Sequence, residues 1–541
     1  MNQTPAGFGP PPEPFEPRPS GTGAGPSAPG GPVRPAPPAG PAGPFGPTGP
    51  FGPTGPTGPR GPFRGRTAVV LTALVCILLV IGGGAYLTFG GDRGKDPEAA
   101  GDPAKPTGSP SVDQGDGKGP GVGPDTYDPN AGIQPGESRV WLRDNQTELA
   151  GSGAVQFGPW RVGDVVVKAM YKEVTGYAVA DGQEKWKLPL QTPLCGVPRA
   201  PSATGKLVVA VKETDSTTSH CNQLQQIDLT TGTAGWKVPV PQETRYDTAL
   251  EYELAIAGDT VAVARSAVMS GFSVTDGRKL FGTSNTNGCT PRAFAGGSRL
   301  ISLRYCFPPK GPTSDSQAMV EELDPATGGS KWSHTYDKGW NMGRVLSVDP
   351  LVVTAYNKEK KTWNITAFTP DGKVRSQSEA AFGVTGRCNG WGNSTGFQEC
   401  YAAVADADTL YIGAGKPGKE LGIEDTLKVV AVDLNTGKEK WSTAEQPKGR
   451  TMWPLAVEDG RVVVYVAPGS GASGSVVSLS PADGSAQPLL QSPAVAAGAE
   501  GVFYDHGVRI AWAGGRLFLL NGRVVSPEPK AASRAILSFG K

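Results

Sequence analysis

Val429-Val-Ala-Val-Asp-Leu-Asn-Thr-Gly437, with Trp441 four residues beyond the glycine, decides how most of this chain folds. The apolar run reads as a short strand. Asp433 and Thr436 can bond the turn backbone, Gly437 accepts a positive φ, and the aromatic then falls on a following strand. The unit recurs as Gly176 to Gly182 with Trp186, Leu224 to Gly232 with Trp236, and Phe272 to Gly277 with Phe281. Further copies run from Val320 to Gly328 with Trp332, Ile365 to Gly372, and Val476 to Gly484; Ala535 to Gly540 is an eighth copy, cut short by the chain end.

Successive turn glycines lie 50, 45, 51, 44, 65, 47 and 56 residues apart, room for four short strands and their turns in each repeat. That is one blade of a β-propeller, so the expectation is an all-β, eight-bladed ring over residues 137–541. The aromatics are expected to wedge between neighbouring blades, although Ser376 and Pro488 replace them in two copies. The eighth copy lacks an outer strand. Ser138-Arg-Val-Trp-Leu-Arg143 resembles the outer strand Glu184-Lys-Trp-Lys-Leu188, so the start of the domain is expected to complete the last blade through Val140 and Trp141.

The strand followed by Asp-x-x-Thr-Gly-x-x-x-Trp resembles the pyrroloquinoline quinone repeat, found in quinoprotein dehydrogenases and in the BamB lipoprotein. Leu224 to Trp236, Val320 to Trp332 and Val429 to Trp441 carry the likeness most closely. The resemblance implies an eight-bladed propeller, but fold does not set function. Quinoprotein enzymes carry a vicinal cysteine pair over the quinone and a calcium site beside a catalytic aspartate. No two cysteines are adjacent here and no Cys-x-x-Cys-His haem site occurs, so no cofactor is expected and catalytic residues are not assigned.

Outside the repeats the composition changes. Residues 1–66 are rich in Pro and Gly, with glycine at every third position from Gly40 to Phe63, and read as a disordered cytoplasmic tail. Thr67 to Gly90 holds no charge over 24 residues, enough at about 1.5 Å per residue to span a bilayer core of about 30 Å. It reads as one transmembrane helix, with Cys76 a small apolar residue within it. Residues 91–136 are polar and Gly/Pro-rich and read as a flexible linker.

The remaining six cysteines fall in sequence as Cys195/Cys221, Cys289/Cys306 and Cys388/Cys400. An even set in local pairs suggests three disulfides, hence a propeller outside a bacterial plasma membrane with the N-terminus in the cytoplasm. Six buried thiols are the alternative, and six cysteines permit fifteen pairings.

Charge is balanced, 51 basic against 50 acidic residues, with no basic block to follow a phosphate backbone, which excludes nucleic acid as the expected partner. His220, His334 and His506 are too scattered for a metal site, and each reads as an ordinary strand or surface histidine. Gly469 to Gly474 lacks the Gly-Lys-Ser/Thr of a phosphate loop and reads as a hairpin; Asp406 and Asp408 read as turn residues. The long sixth repeat suggests a binding loop, Cys388 to Cys400, displaying Trp391 and Phe397. The functional expectation is a non-catalytic scaffold, tethered by one helix, that holds a protein, peptide or glycan. A quinone-dependent oxidoreductase, another propeller enzyme and a transmembrane sensor are the alternatives.

Overall fold

The computed structural model describes residues 127–541 apart from 243–246, 248–251, 266–267, 284–287, 309, 311–314, 358, 380–382, 385–395, 399, 416–426, 448–449, 470, 505–506 and 528–532. The tail and the apolar stretch 67–90 lie outside the described residues; among those described, no helix is long and apolar enough to cross a membrane.

Eight antiparallel sheets follow one another around a ring, the first from Ala154–Val162 to Glu184–Pro189 and the seventh from Met452–Glu458 to Ala486–Gln491. First strands of most successive blades touch one another, which places them around the axis. Second strands lie between neighbouring blades and are buried along their whole length, as in Val165–Met170 and Thr260–Arg265. Such strands read as largely apolar runs because both faces are covered, with Lys168 and Arg265 as buried charged exceptions. Outer strands such as Glu184–Pro189 and Ser330–Thr335 alternate between exposed and half-buried positions, the pattern of a strand with one wet face.

The repeat motif does the work expected of it and joins adjacent blades as well. Asp324 Oδ1 accepts the backbone N–H groups of Ala326 and Thr327, and Asp433 does the same for Asn435 and Thr436. The glycine that follows sits at positive φ, +68° at Gly182 and +76° at Gly277. Each aromatic lies flat against the turn glycine of the next blade: Trp141 on Gly182, Trp186 on Gly232, Trp236 on Gly277, Phe281 on Gly328, Trp332 on Gly372 and Trp441 on Gly484. A Cβ at Gly182 would come within 2.6 Å of Trp141, so the glycine serves both the turn and the close approach. Indole Nε1 groups of Trp141, Trp236 and Trp441 donate to the carbonyls of Val179, Val274 and Pro481, each three residues before the glycine.

Where blade 5 has Ser376 instead of an aromatic, Arg375 makes the joint. Its guanidinium reaches into blade 6, to the Ala407 carbonyl at 2.7 Å, Asp408 at 2.5 Å and Asn435 Oδ1 at 2.7 Å.

Closure follows the expected route. Arg139–Asp144 is the outer strand of blade 8 and pairs antiparallel with the C-terminal strand Arg534–Gly540, with Val140 opposite Phe539 and Trp141 opposite Ser538. The Arg534 Nη1 to Asp144 ion pair, at 3.0 Å, ties the far end. Residues 127–136, expected as part of the linker, are bonded to the ring. Asn130 donates to the Val140 carbonyl and accepts from the Val140 N–H, both at 2.8 Å, and Tyr127 bonds the Val495 carbonyl. Deleting residues 137–145 is expected to lower the temperature of one cooperative unfolding transition of the whole ring, read by circular dichroism. An unchanged transition contradicts closure through this strand.

Candidate binding site

In an antiparallel four-stranded blade, the turns joining first to second and third to fourth strands emerge on one face. The remaining turns and the blade-to-blade connections emerge on the other. The first face carries tight glycine turns. The second carries long connections such as 213–220 and 492–507, and is called here the loop face.

Covalent staples gather on the loop face. Cys195–Cys221 joins the beginnings of the first and third strands of blade 2, and Cys289–Cys306 joins the start of the first strand to the end of the second in blade 4. Cys400 is disulfide-bonded as well. Cys388 lies outside the described residues, as do Trp391 and His506.

The innermost strand of blade 6 is broken. Gly383–Val384 and Ala403–Ala405 both pair with Thr409–Gly415, and residues 385–402 lie between them. Other innermost strands carry a β-bulge in their middle, between Phe157 and Trp160, Leu194 and Gly196, Pro291 and Ala293, and Pro454 and Ala456. The sixth repeat is therefore interrupted by residues 385–402 in the strand where other blades carry a bulge.

The end of that insertion runs along the axis. Phe397 N–H donates to Glu253 on blade 3, and the Phe397 carbonyl accepts from Val345 N–H on blade 5 at 2.8 Å. Gln398 makes a paired bond with the Gly296 backbone at the end of blade 4's first strand, 2.7 and 2.8 Å. Tyr401 lies under the Arg199 guanidinium of blade 2, 3.9 Å from carbon to ring centroid, and its hydroxyl accepts from Arg509 Nη1 of blade 8 at 3.1 Å. Five other blades thus hold one short segment of the sixth.

This corrects the expected role of Phe397. It is not displayed: only 1% of its surface is exposed, and it packs among Ala295, Val345, Val353 and Phe368. An aromatic in a Gly-rich stretch between cysteines reads as a surface residue when the hollow it fills is built from distant strands.

Asp406 behaves as a turn residue, accepting the N–H groups of Asp408 and Thr409 and the Tyr411 hydroxyl. Gly469 pairs with Ala472 in a hairpin. His334 stands edge-on to Tyr336 and Phe368, and burial lowers its pKa. Among the described residues, no three acidic, His or Cys groups converge as a metal site would require. The Cys195–Cys221 and Cys289–Cys306 bridges each join two strands of one blade, so neither is the vicinal cysteine pair that covers a quinone.

Sequence reading missed a buried carboxyl. Glu500 sits in the helical connection between blades 7 and 8, fully buried, with Tyr465 Oη donating to it at 3.1 Å and the Gly474 N–H at 3.3 Å. Burial pushes its pKa up to about 7, against the pull of Ser492, Tyr465, Gly474 and Arg450. The only sequence signal was one charge in an otherwise apolar run, Ala494 to Tyr504.

Residues 131–288 match the family of the outer membrane protein assembly factor BamB. The match spans the lead-in and the first blades. BamB from Moraxella catarrhalis is similar in structure at 15% identity and a TM-score of 0.39, over 73% of this chain and 98% of that one. The quinohemoprotein alcohol dehydrogenase of Comamonas testosteroni is similar at 12% identity and a TM-score of 0.44, over 75% of this chain and 76% of that one. No curated protein matches the sequence.

Since Glu500 holds its proton more tightly folded than unfolded, its contribution is most favourable below its ordinary pKa of 4.5 and is lost as pH rises through about 7. That difference corresponds to about 3 kcal/mol. Glu500→Gln is expected to remove this loss, so that the variant melts higher than the parent at pH 8 and equal to it near pH 4; thermal unfolding across that range checks it.

Proposed function

We propose that this chain is a membrane-tethered, extracytoplasmic propeller that acts as a non-catalytic scaffold, its loop face holding a protein, peptide or glycan. The observation that carries the reading is the segment bearing Phe397, Gln398 and Tyr401, held at the centre of the ring by five other blades. A ring braced in this way offers its broad loop face as a rigid surface for recognition. Stapled, elaborated loops on a rigid ring are a common way to present a binding surface. The match to a family named for an assembly factor supports a role in holding other proteins.

The uncharged stretch Thr67 to Gly90 supports tethering, and disulfides, which persist in oxidising compartments, support an outside placement. The Gly/Pro-rich residues beyond the span give the ring reach from the membrane.

Photo-crosslinking residues placed at Thr217 on the loop face and at Asp324 on the turn face, in the intact chain in its own membrane, separate the possibilities. Adducts from Thr217 and none from Asp324 are expected. Adducts from Asp324 alone contradict the assignment of the face.

A further inference from the structure

We propose that Arg199, laid on Tyr401 at the end of the blade 6 insertion, is a receptor for a carboxylate carried by an acidic side chain of a partner polypeptide. The inference rests on the scaffold reading above and names the chemistry it recognises.

Several other buried or half-buried arginines direct their donors at carboxylates and carbonyls of the chain. Arg265 bonds the carbonyls of Val240 and Pro241, the Tyr252 hydroxyl and Asp247. Arg304 pairs with Glu321, Arg299 with Glu322, and Arg375 with Asp408 and Asn435. Arg199 differs. Its backbone is fixed by Trp160 Nε1, which donates to its carbonyl at 3.2 Å, and its guanidinium is fixed by stacking on Tyr401. Neither contact uses a side-chain N–H, and no carboxylate or carbonyl among the described residues accepts one.

Stacking on an aromatic face sets the plane of a guanidinium and leaves its donor edge open. A planar fork of N–H donors, already oriented and half-buried, suits the two oxygens of a carboxylate and loses little entropy on pairing. A second arginine lies close by. Arg509, itself buried, donates to the Tyr401 hydroxyl and lies 5.5 Å from the Phe157 ring, so two cations flank one phenol. Because that hydroxyl accepts from Arg509, its own proton remains available for a second bond to an anion. Tyr401 acts as a positioning residue: it brings cations of blades 2 and 8 to one place, and the insertion exists only in blade 6.

Isothermal titration of the full chain with an oligoglutamate peptide, its oligoglutamine counterpart and acetate, at low ionic strength, tests the assignment. Oligoglutamate is expected to bind and oligoglutamine not to; binding by acetate as well would show that a free carboxylate suffices. Arg199→Gln should weaken oligoglutamate binding about tenfold or more, about 1.4 kcal/mol. Arg199→Lys, which keeps the charge and loses the fork, should fall between, and Tyr401→Phe, which keeps the platform, should retain most of the affinity. Equal binding by the parent and both Arg199 variants, or no binding of any carboxylate by the parent, overturns the proposal. In either event, loop-face cross-links from Thr217 that persist leave the scaffold reading standing, and their loss removes both.

Discussion

A propeller must close, and everything else in this molecule depends on how that is done. Each blade buries its faces only against its two neighbours, so an open ring would leave two sheet faces wet and an unpaired strand edge exposed. Here closure is non-covalent, through one six-residue strand, Arg139–Asp144, laid against the last strand of the chain. The ends of the domain thereby hold each other, and fraying at either one opens the seam between blades 8 and 1. Trp141 makes the closing strand equivalent to the others, because it docks on Gly182 as Trp186 docks on Gly232.

The seams between blades are built from a repeated local contact, an aromatic side chain against a glycine that has no Cβ to obstruct it. The contact varies where the ring needs something else. Between blades 5 and 6 it becomes the polar network of Arg375, and between blades 7 and 8 Trp512 donates to Glu458 at 2.8 Å. The blade 6 insertion is the other departure. Its described end ties blades 2, 3, 4, 5 and 8 to blade 6 through the middle of the ring.

What was legible in the sequence is what is local. The Asp-Thr-Gly turn, the aromatic four residues on and the alternating outer strand are each short-range patterns, so blade number, blade order and the closing strand could be read directly. The role of Phe397 could not, because the apolar cluster it joins draws on Ala295 of blade 4 and Val345 and Val353 of blade 5. The contact of Arg199 with Tyr401 spans about two hundred residues of sequence, and no pattern around either announces the other. Glu500 was hidden for a related reason, since its environment is assembled from Tyr465, Gly474 and Tyr504 across a blade boundary.

Residues 139–144 are an integral strand of the last blade, and closure of the ring depends on them. Amide hydrogen exchange, followed by fragment mass, reads this without altering the chain. Residues 139–144 and 534–540 are expected to exchange together, at the slow rate set by global opening and matching the buried strand 516–521. Rapid exchange of 139–144, as in free chain, while 516–521 stays protected would contradict it.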